Sequence, residues 1–146
     1  MSKHDEHDDA ALGVDADDQR RAARRAQRPE NDQARDFAVA AARLAISLHC
    51  EDLVIFDVRG LSDMTDFVVI GSGTSDRQIK AVGSEISALA REHGMERFGT
   101  DRDEASTWVV LDFIDVIVHL FEPTTRAHYD LEMMWDDAPR VSLRTA

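Results

Sequence analysis

The amino-acid sequence predicts a small α/β domain built on a mixed β-sheet flanked by helices. Three observations carry that prediction. Two segments place apolar residues at helical spacing, and four runs of β-branched and aromatic residues are strand-sized. Several of those runs follow one another with no helix between them, so the sheet cannot be all parallel.

The elements follow in order. Phe37, Ala41, Leu44 and Leu48 recur at intervals of four, three and four, one face of a helix for which Asp32 is placed as the cap. Leu53–Val58 is a β-rich run read as a buried strand, ended by Gly60-Leu-Ser-Asp63, and Phe67–Ile70 is a second strand running into Gly71-Ser-Gly73. Ser75-Asp-Arg-Gln78 has the form of a capping box, in which the Ser hydroxyl and the Gln side chain satisfy backbone amides at a helix start. The helix it opens carries Ile79, Val82, Ile86 and Leu89 on one face, with Gly94 placed to end it. A short strand is expected at Met95–Gly99, followed by a polar stretch, Thr100–Thr107. Trp108–Phe113 and Val116–Phe121 form a tight hairpin about Ile114-Asp115, and Pro123 opens a short helix through Arg126 and Tyr129.

Ahead of these elements, residues 1–18 hold seven acids and one base, and residues 20–28 hold five arginines and no acid. Neither block has hydrophobic periodicity, so 1–30 is expected to be a disordered charged tail. It matches neither a transit peptide, which is poor in acids, nor a secretory signal, which needs an apolar core. The His-Asp-Glu-His-Asp-Asp opening at 4–9 lacks a rigid scaffold for a cation, and the arginine block is a solvated run with RNA or an acidic surface as its alternative partner.

Composition narrows the function. The 146 residues allow one domain and a tail, and 17 Lys+Arg against 29 Asp+Glu give a net charge of −12. Nucleic-acid binding is driven by basic side chains, so this balance favours a basic protein partner and little direct nucleic-acid contact. No apolar run approaches the roughly 20 residues of a membrane helix. The single cysteine, Cys50, allows no internal disulfide and suits a reducing cytoplasm.

No catalytic arrangement emerges. The Gly71-Ser-Gly-Thr-Ser75 loop between a strand and a helix start could hold an anion, but it lacks the Lys of a Walker loop and the third glycine of a dinucleotide fingerprint. A nucleotidyltransferase-like enzyme would use Gly71-Ser72 with carboxylates among Asp57, Asp112 and Asp115, yet Asp112 and Asp115 are three apart, where two ligands on one strand face are two apart. His119 and the His49-Cys50 pair have no partners at metal-ligand spacing. No metal and no cofactor are therefore expected. The end of the chain is instead dense in interface-type side chains: Trp108, Phe113, Phe121, Arg126, Tyr129, Leu131, Met133, Met134 and Trp135. Leu131 and Phe121 are assigned to the core.

Asp66-Phe-Val-Val-Ile-Gly-Ser-Gly-Thr-Ser75, Trp108-Val-Val-Leu-Asp112, Asp115-Val-Ile-Val-His-Leu-Phe121 and Arg126-Ala-His-Tyr-Asp-Leu-Glu132 with Trp135 closely resemble the ribosome silencing factor (Iojap-like) family. The resemblance runs from about Phe37 to Val141 and divides the chain into the tail 1–30, a domain over 31–141 and a C-terminal tail, 142–146. It implies an α/β sandwich related to nucleotidyltransferases, and a translational repressor rather than an enzyme. Such a protein binds the fourteenth protein of the large ribosomal subunit at the intersubunit face, blocks subunit joining, and is a cytoplasmic homodimer when free. The alternatives are a large-subunit assembly factor, or a nucleotidyltransferase-like enzyme.

Residue by residue, the resemblance assigns partner binding to Trp108, Asp112, Asp115, His119, Arg126, Tyr129, Glu132 and Trp135. Residues 37–146 carry 10 basic and 19 acidic side chains, a net −9 that suits a basic ribosomal protein. Two departures fall in loops. Ile114 stands where the family usually has glycine, so the turn is expected to differ in type, because a β-branched residue resists positive φ. Phe98 stands where a Glu often precedes the glycine matched by Gly99.

Overall fold

A computed structural model describes residues 16, 18–26, 32–98 and 107–143 of the chain. The chain divides into two units, Met1–Glu30 and Asn31–Ala146.

Within the first unit, residues 18–26 form a helix, α1, so the expected lack of regular structure fails there. Arg20–Ala26 contains only Arg and Ala, two of the strongest helix formers, and such a helix carries no apolar periodicity by which to recognise it. The acidic opening at 4–9 lies outside the described residues.

The second unit begins with α2 (Gln33–Ser47), which buries Phe37, Ala38, Ala41, Ala42 and Ala45. Asp32 occupies the cap position, but its side chain makes no capping bond and lies 3.7 Å from the Arg59 guanidinium. Strand β1 (Glu51–Asp57) starts two residues earlier than the sequence suggests, across a register irregularity between Glu51 and Val54. Strand β2 (Phe67–Ser72) is buried throughout and leads to α3 (Asp76–Glu92). The Ser75 hydroxyl accepts the Gln78 amide at 3.1 Å, as a capping box requires. The return bond is displaced by one residue: the Gln78 carboxamide accepts from Thr74 rather than from Ser75. Gly94, at φ 71°, follows the C-cap His93 and ends the helix.

The strand expected at Met95–Gly99 does not form over its described part, 95–98, which is irregular. Met95 is buried instead, and Phe98 donates one backbone bond, 2.6 Å, to the Asp112 carbonyl. Strands β3 (Trp108–Asp112) and β4 (Val116–Phe121) pair as the expected hairpin, followed by α4 (Pro123–Tyr129) with proline in its first turn. A 3₁₀ turn, Leu131–Trp135, completes the series.

The sheet order is β1-β2-β4-β3, with β2 and β4 parallel and both outer pairs antiparallel. It is the mixed sheet the sequence requires, with α3 and β3 forming the connection between the parallel strands. Alternate residues divide it into two faces. Ile55, Phe67, Val69, Val109, Leu111, Val116, Val118 and Leu120 join the buried faces of α2 and α3 in the main core. The other face carries a second cluster of Phe56, Val58, Val68, Ile70, Phe121 and Ala138, against which Val54, Trp108, Leu131 and Trp135 pack. Residues beyond the 3₁₀ turn return to β1: Asp57 donates its amide to Pro139, Val141 donates to Ile55, and Phe56 bridges Arg140.

At the β3–β4 turn, Ile114 takes φ 71°, the left-handed conformation a glycine would supply, so the departure from the family residue does not displace it. Two compensations hold it there. Its side chain is 3% exposed, and its amide donates to the Asp112 carboxylate at 2.8 Å.

Candidate functional site

The end of the sheet where β2 and β4 finish gathers five of the eight side chains expected to bind a partner, namely Trp108, His119, Arg126, Tyr129 and Glu132. Trp108 opens β3 opposite Phe121, the last residue of β4, and its indole lies over the Phe121 ring with centroids 4.9 Å apart. Tyr129, at the end of α4, approaches the same indole to 4.7 Å and is 54% exposed. The Trp108 Nε1–H donates to His119 Nδ1 at 3.2 Å. Indole nitrogen can only donate, so this bond places the imidazole proton on Nε2. Burial lowers the His119 pKa to about 4, which keeps the ring neutral and its Nδ1 free to accept near neutral pH.

Arg126 braces this group. Its Nε and Nη2 meet the two carboxylate oxygens of Glu132 at 2.9 and 3.2 Å, and Nη1 donates to the Ser72 hydroxyl at 2.8 Å. One guanidinium thus ties α4 to the 3₁₀ turn and to the end of β2. The forked geometry suits a planar carboxylate and could not be reproduced by a lysine. With its side chain 13% exposed, Arg126 is a brace for the surface. Trp135 is half-buried against the second cluster, while Met133 and Met134 stand out at 68% and 67% exposed.

Asp112 and Asp115 do not join the group. Asp112 pairs with Ile117 at the far end of the hairpin, four residues from Trp108 and therefore about 14 Å away along the strand. Its carboxylate holds the turn at Ile114, and the Asp115 carbonyl accepts the amides of Asp66 and Phe67. Both aspartates shape that far end of the sheet.

The residues of the enzyme alternative are likewise separated. Ser72 ends β2, whereas Asp57 pairs with Phe67 and Asp112 with Ile117, both at the opposite end. The Asp57 carboxylate is held by Arg59 at 2.9 and 2.6 Å, and that hydrogen bonding keeps its pKa below the usual carboxylate range. The glycines serve packing: a Cβ at Gly71 would come within 2.7 Å of Leu53, and one at Gly73 within 2.2 Å of Ile79. Among the described residues no group of three or more His, Cys, Asp or Glu side chains could hold a metal ion.

The family model described as "Ribosomal silencing factor during starvation" matches residues 31–146. The chain belongs to that family. A relative named ribosomal silencing factor in Halalkalibacterium halodurans is 39% identical over 93 residues, spanning 64% of this chain and 80% of that protein. A crystal structure of a Bacillus halodurans protein superposes with a TM-score of 0.62 at 33% identity, covering 77% of this chain and 99% of that one. A mouse relative, 30% identical over 93 residues that span 60% of this chain and 40% of its own, is named for mitochondrial assembly of the large ribosomal subunit. The family's α/β architecture is therefore the one found here.

Sequence reasoning missed Ser72, the acceptor that completes the Arg126 brace. It also missed Val110 and Ile117, half-buried on the sheet face that carries Trp108 and His119. Their signal was available: they lie two residues from Trp108 and His119, which puts them on the same strand face.

Proposed function

We propose that this chain is a translational repressor that docks on the large ribosomal subunit, through its fourteenth protein at the intersubunit face, and blocks subunit joining by occupying that face. The observation that supports it is the aromatic surface of Trp108 and Tyr129, on a segment that Arg126 ties to Glu132 and Ser72 and that also carries exposed Met133 and Met134, in a chain of the silencing-factor family. Large, rigid side chains of these types concentrate binding energy at protein interfaces. Residues 31–146 carry 11 basic and 21 acidic side chains, a net −10 that complements a basic ribosomal protein. An interface of about 800 Å² per partner suffices for steric exclusion, with no cofactor and no chemical step. In this reading the protein acts in the cytoplasm and pairs with a second copy through the same exposed surface when free. Among the described residues no helix is long and apolar enough to cross a membrane.

Co-sedimentation with separated large and small subunits, alongside a subunit-joining assay, tests the proposal. Binding to large subunits alone with joining blocked is expected, and folded Trp108→Ala and Tyr129→Ala variants should lose it. Full binding by both variants would overturn the assignment of the surface.

The mouse relative's name favours a second reading, an assembly factor acting on immature large subunits. Preference for immature over mature large subunits in the same co-sedimentation would select it.

A further inference from the structure

We propose that α1 is a phosphate-binding helix that contacts ribosomal RNA when the domain docks, an inference that rests on the large-subunit reading above. The folded unit, at net −10, is poorly suited to RNA, so any such contact must come from elsewhere in the chain. Residues 19–28 are the exception, with five arginines and no acid. Over 18–26 they are helical. At about 100° per residue, Arg20, Arg24 and Arg25 fall within an arc of about 140°, which also contains Arg21, while Ala22, Ala23 and Ala26 occupy the opposite side. The helix thus segregates its cations into one stripe.

Exposure divides the stripe. Arg21 is 6% exposed and Arg25 half-buried, while Arg20 and Arg24 are exposed, as are Ala22, Ala23 and Ala26 on the opposite side. All four have contacts within the chain, so RNA binding exchanges contacts. From Arg20 to Arg25 the helix rises about 7.5 Å, a length over which a nucleic-acid duplex presents about four phosphate charges. Guanidinium forks match phosphate oxygens bidentately, and duplex RNA is recognised largely by shape and phosphate contact, so this ligand requires no base-reading pocket. The arginine content favours RNA over an acidic protein because the proposed docking site lies on a particle whose surface is rich in phosphate.

The test compares the full chain with Arg20→Gln/Arg24→Gln/Arg25→Gln and with the corresponding triple Lys variant. Gln retains helix propensity, and matching far-UV circular dichroism controls for folding. Each protein is titrated into a labelled RNA duplex of about 16 base pairs and into large subunits, between about 50 and 200 mM salt. The full chain is expected to bind the duplex, the Gln variant about tenfold more weakly, and its dependence of log affinity on log salt should flatten by about 2–3 on both targets. The Lys variant should keep most of the salt dependence. Equal affinity and slope for the full chain and the Gln variant would overturn the proposal, as would displacement of the duplex by polyglutamate as readily as by RNA. Duplex binding without large-subunit binding would remove the docking reading while leaving the phosphate stripe in place.

Discussion

Arg126→Ala separates a brace from a contact. The substitution removes three hydrogen bonds from a guanidinium that is 13% exposed. It leaves the Ser72 hydroxyl, on a residue only 6% exposed, without this donor and the Glu132 carboxylate without its fork. Bonds to charged groups contribute about 1.5–3 kcal/mol each, but they are not additive, and Glu132 is 32% exposed and can recover water. The expected net loss is about 2–3 kcal/mol. Urea unfolding of Arg126→Ala, Glu132→Ala and the double variant should give a coupling of about 1–2 kcal/mol between the two sites. Large-subunit binding should fall equally in both single variants and no further in the double, because either loss releases the same surface. The reasoning fails if Arg126→Ala unfolds within about 0.5 kcal/mol of the parent yet abolishes binding while Glu132→Ala binds normally, for Arg126 would then touch the partner itself.

His119 should make stability depend on pH. Its folded pKa of about 4 lies below the ordinary histidine value of 6.5, so between those values the unfolded chain binds a proton that the folded one refuses; stability rises with pH across that window and falls on acidification. The full effect is of order 3 kcal/mol, and denaturation midpoints from pH 4 to 7 should show it in the parent and lose it in His119→Gln. Tyr129→Ala should cost little stability, about 1 kcal/mol or less for a side chain 54% exposed, while removing large-subunit binding in co-sedimentation. Ser75→Ala, which deletes the cap on α3, should cost about 1 kcal/mol in urea unfolding. Gly73→Ala should cost about 1–3 kcal/mol by the same measure, because the new methyl meets fully buried Ile79 at 2.2 Å.

How much was legible depended on whether the signal was local. Helix faces, the cap at Ser75, the stop at Gly94 and the β3–β4 hairpin are written in neighbouring residues, and they formed as expected. The bond from Gln78 to Thr74, the irregularity in β1 and positive φ at Ile114 depend on packing that no short window contains. The site divides in the same way. Residue types and the family resemblance point to Trp108, Tyr129 and Arg126, which lie together at one end of the sheet, whereas Asp112 and Asp115 lie at the other, as the hairpin pairing already implies. If Trp108 faces Phe121, Asp112 must lie at the turn, a strand's length away. Ser72, 54 residues from Arg126 in sequence, required the tertiary structure. Helix α1 escaped notice because its Arg/Ala run forms a helix through backbone propensity, without an apolar face.

The return of residues 139–141 to β1 has a consequence for the protein's behaviour in concentrated solution. An outer strand displays unpaired amides and carbonyls that can recruit another chain, and short covering segments are a common protection against such growth. Here Pro139, Arg140 and Val141 lie along β1 and occupy Asp57, Phe56 and Ile55. The same stretch anchors the far end of the segment that carries Tyr129, Met133 and Trp135, whose near end is fixed where Glu122 donates to Thr107. A single strap therefore covers a sheet margin and ties down, at both ends, the segment that carries the aromatic surface. Loosening it at Pro139–Val141 is expected to weaken large-subunit binding and to promote aggregation.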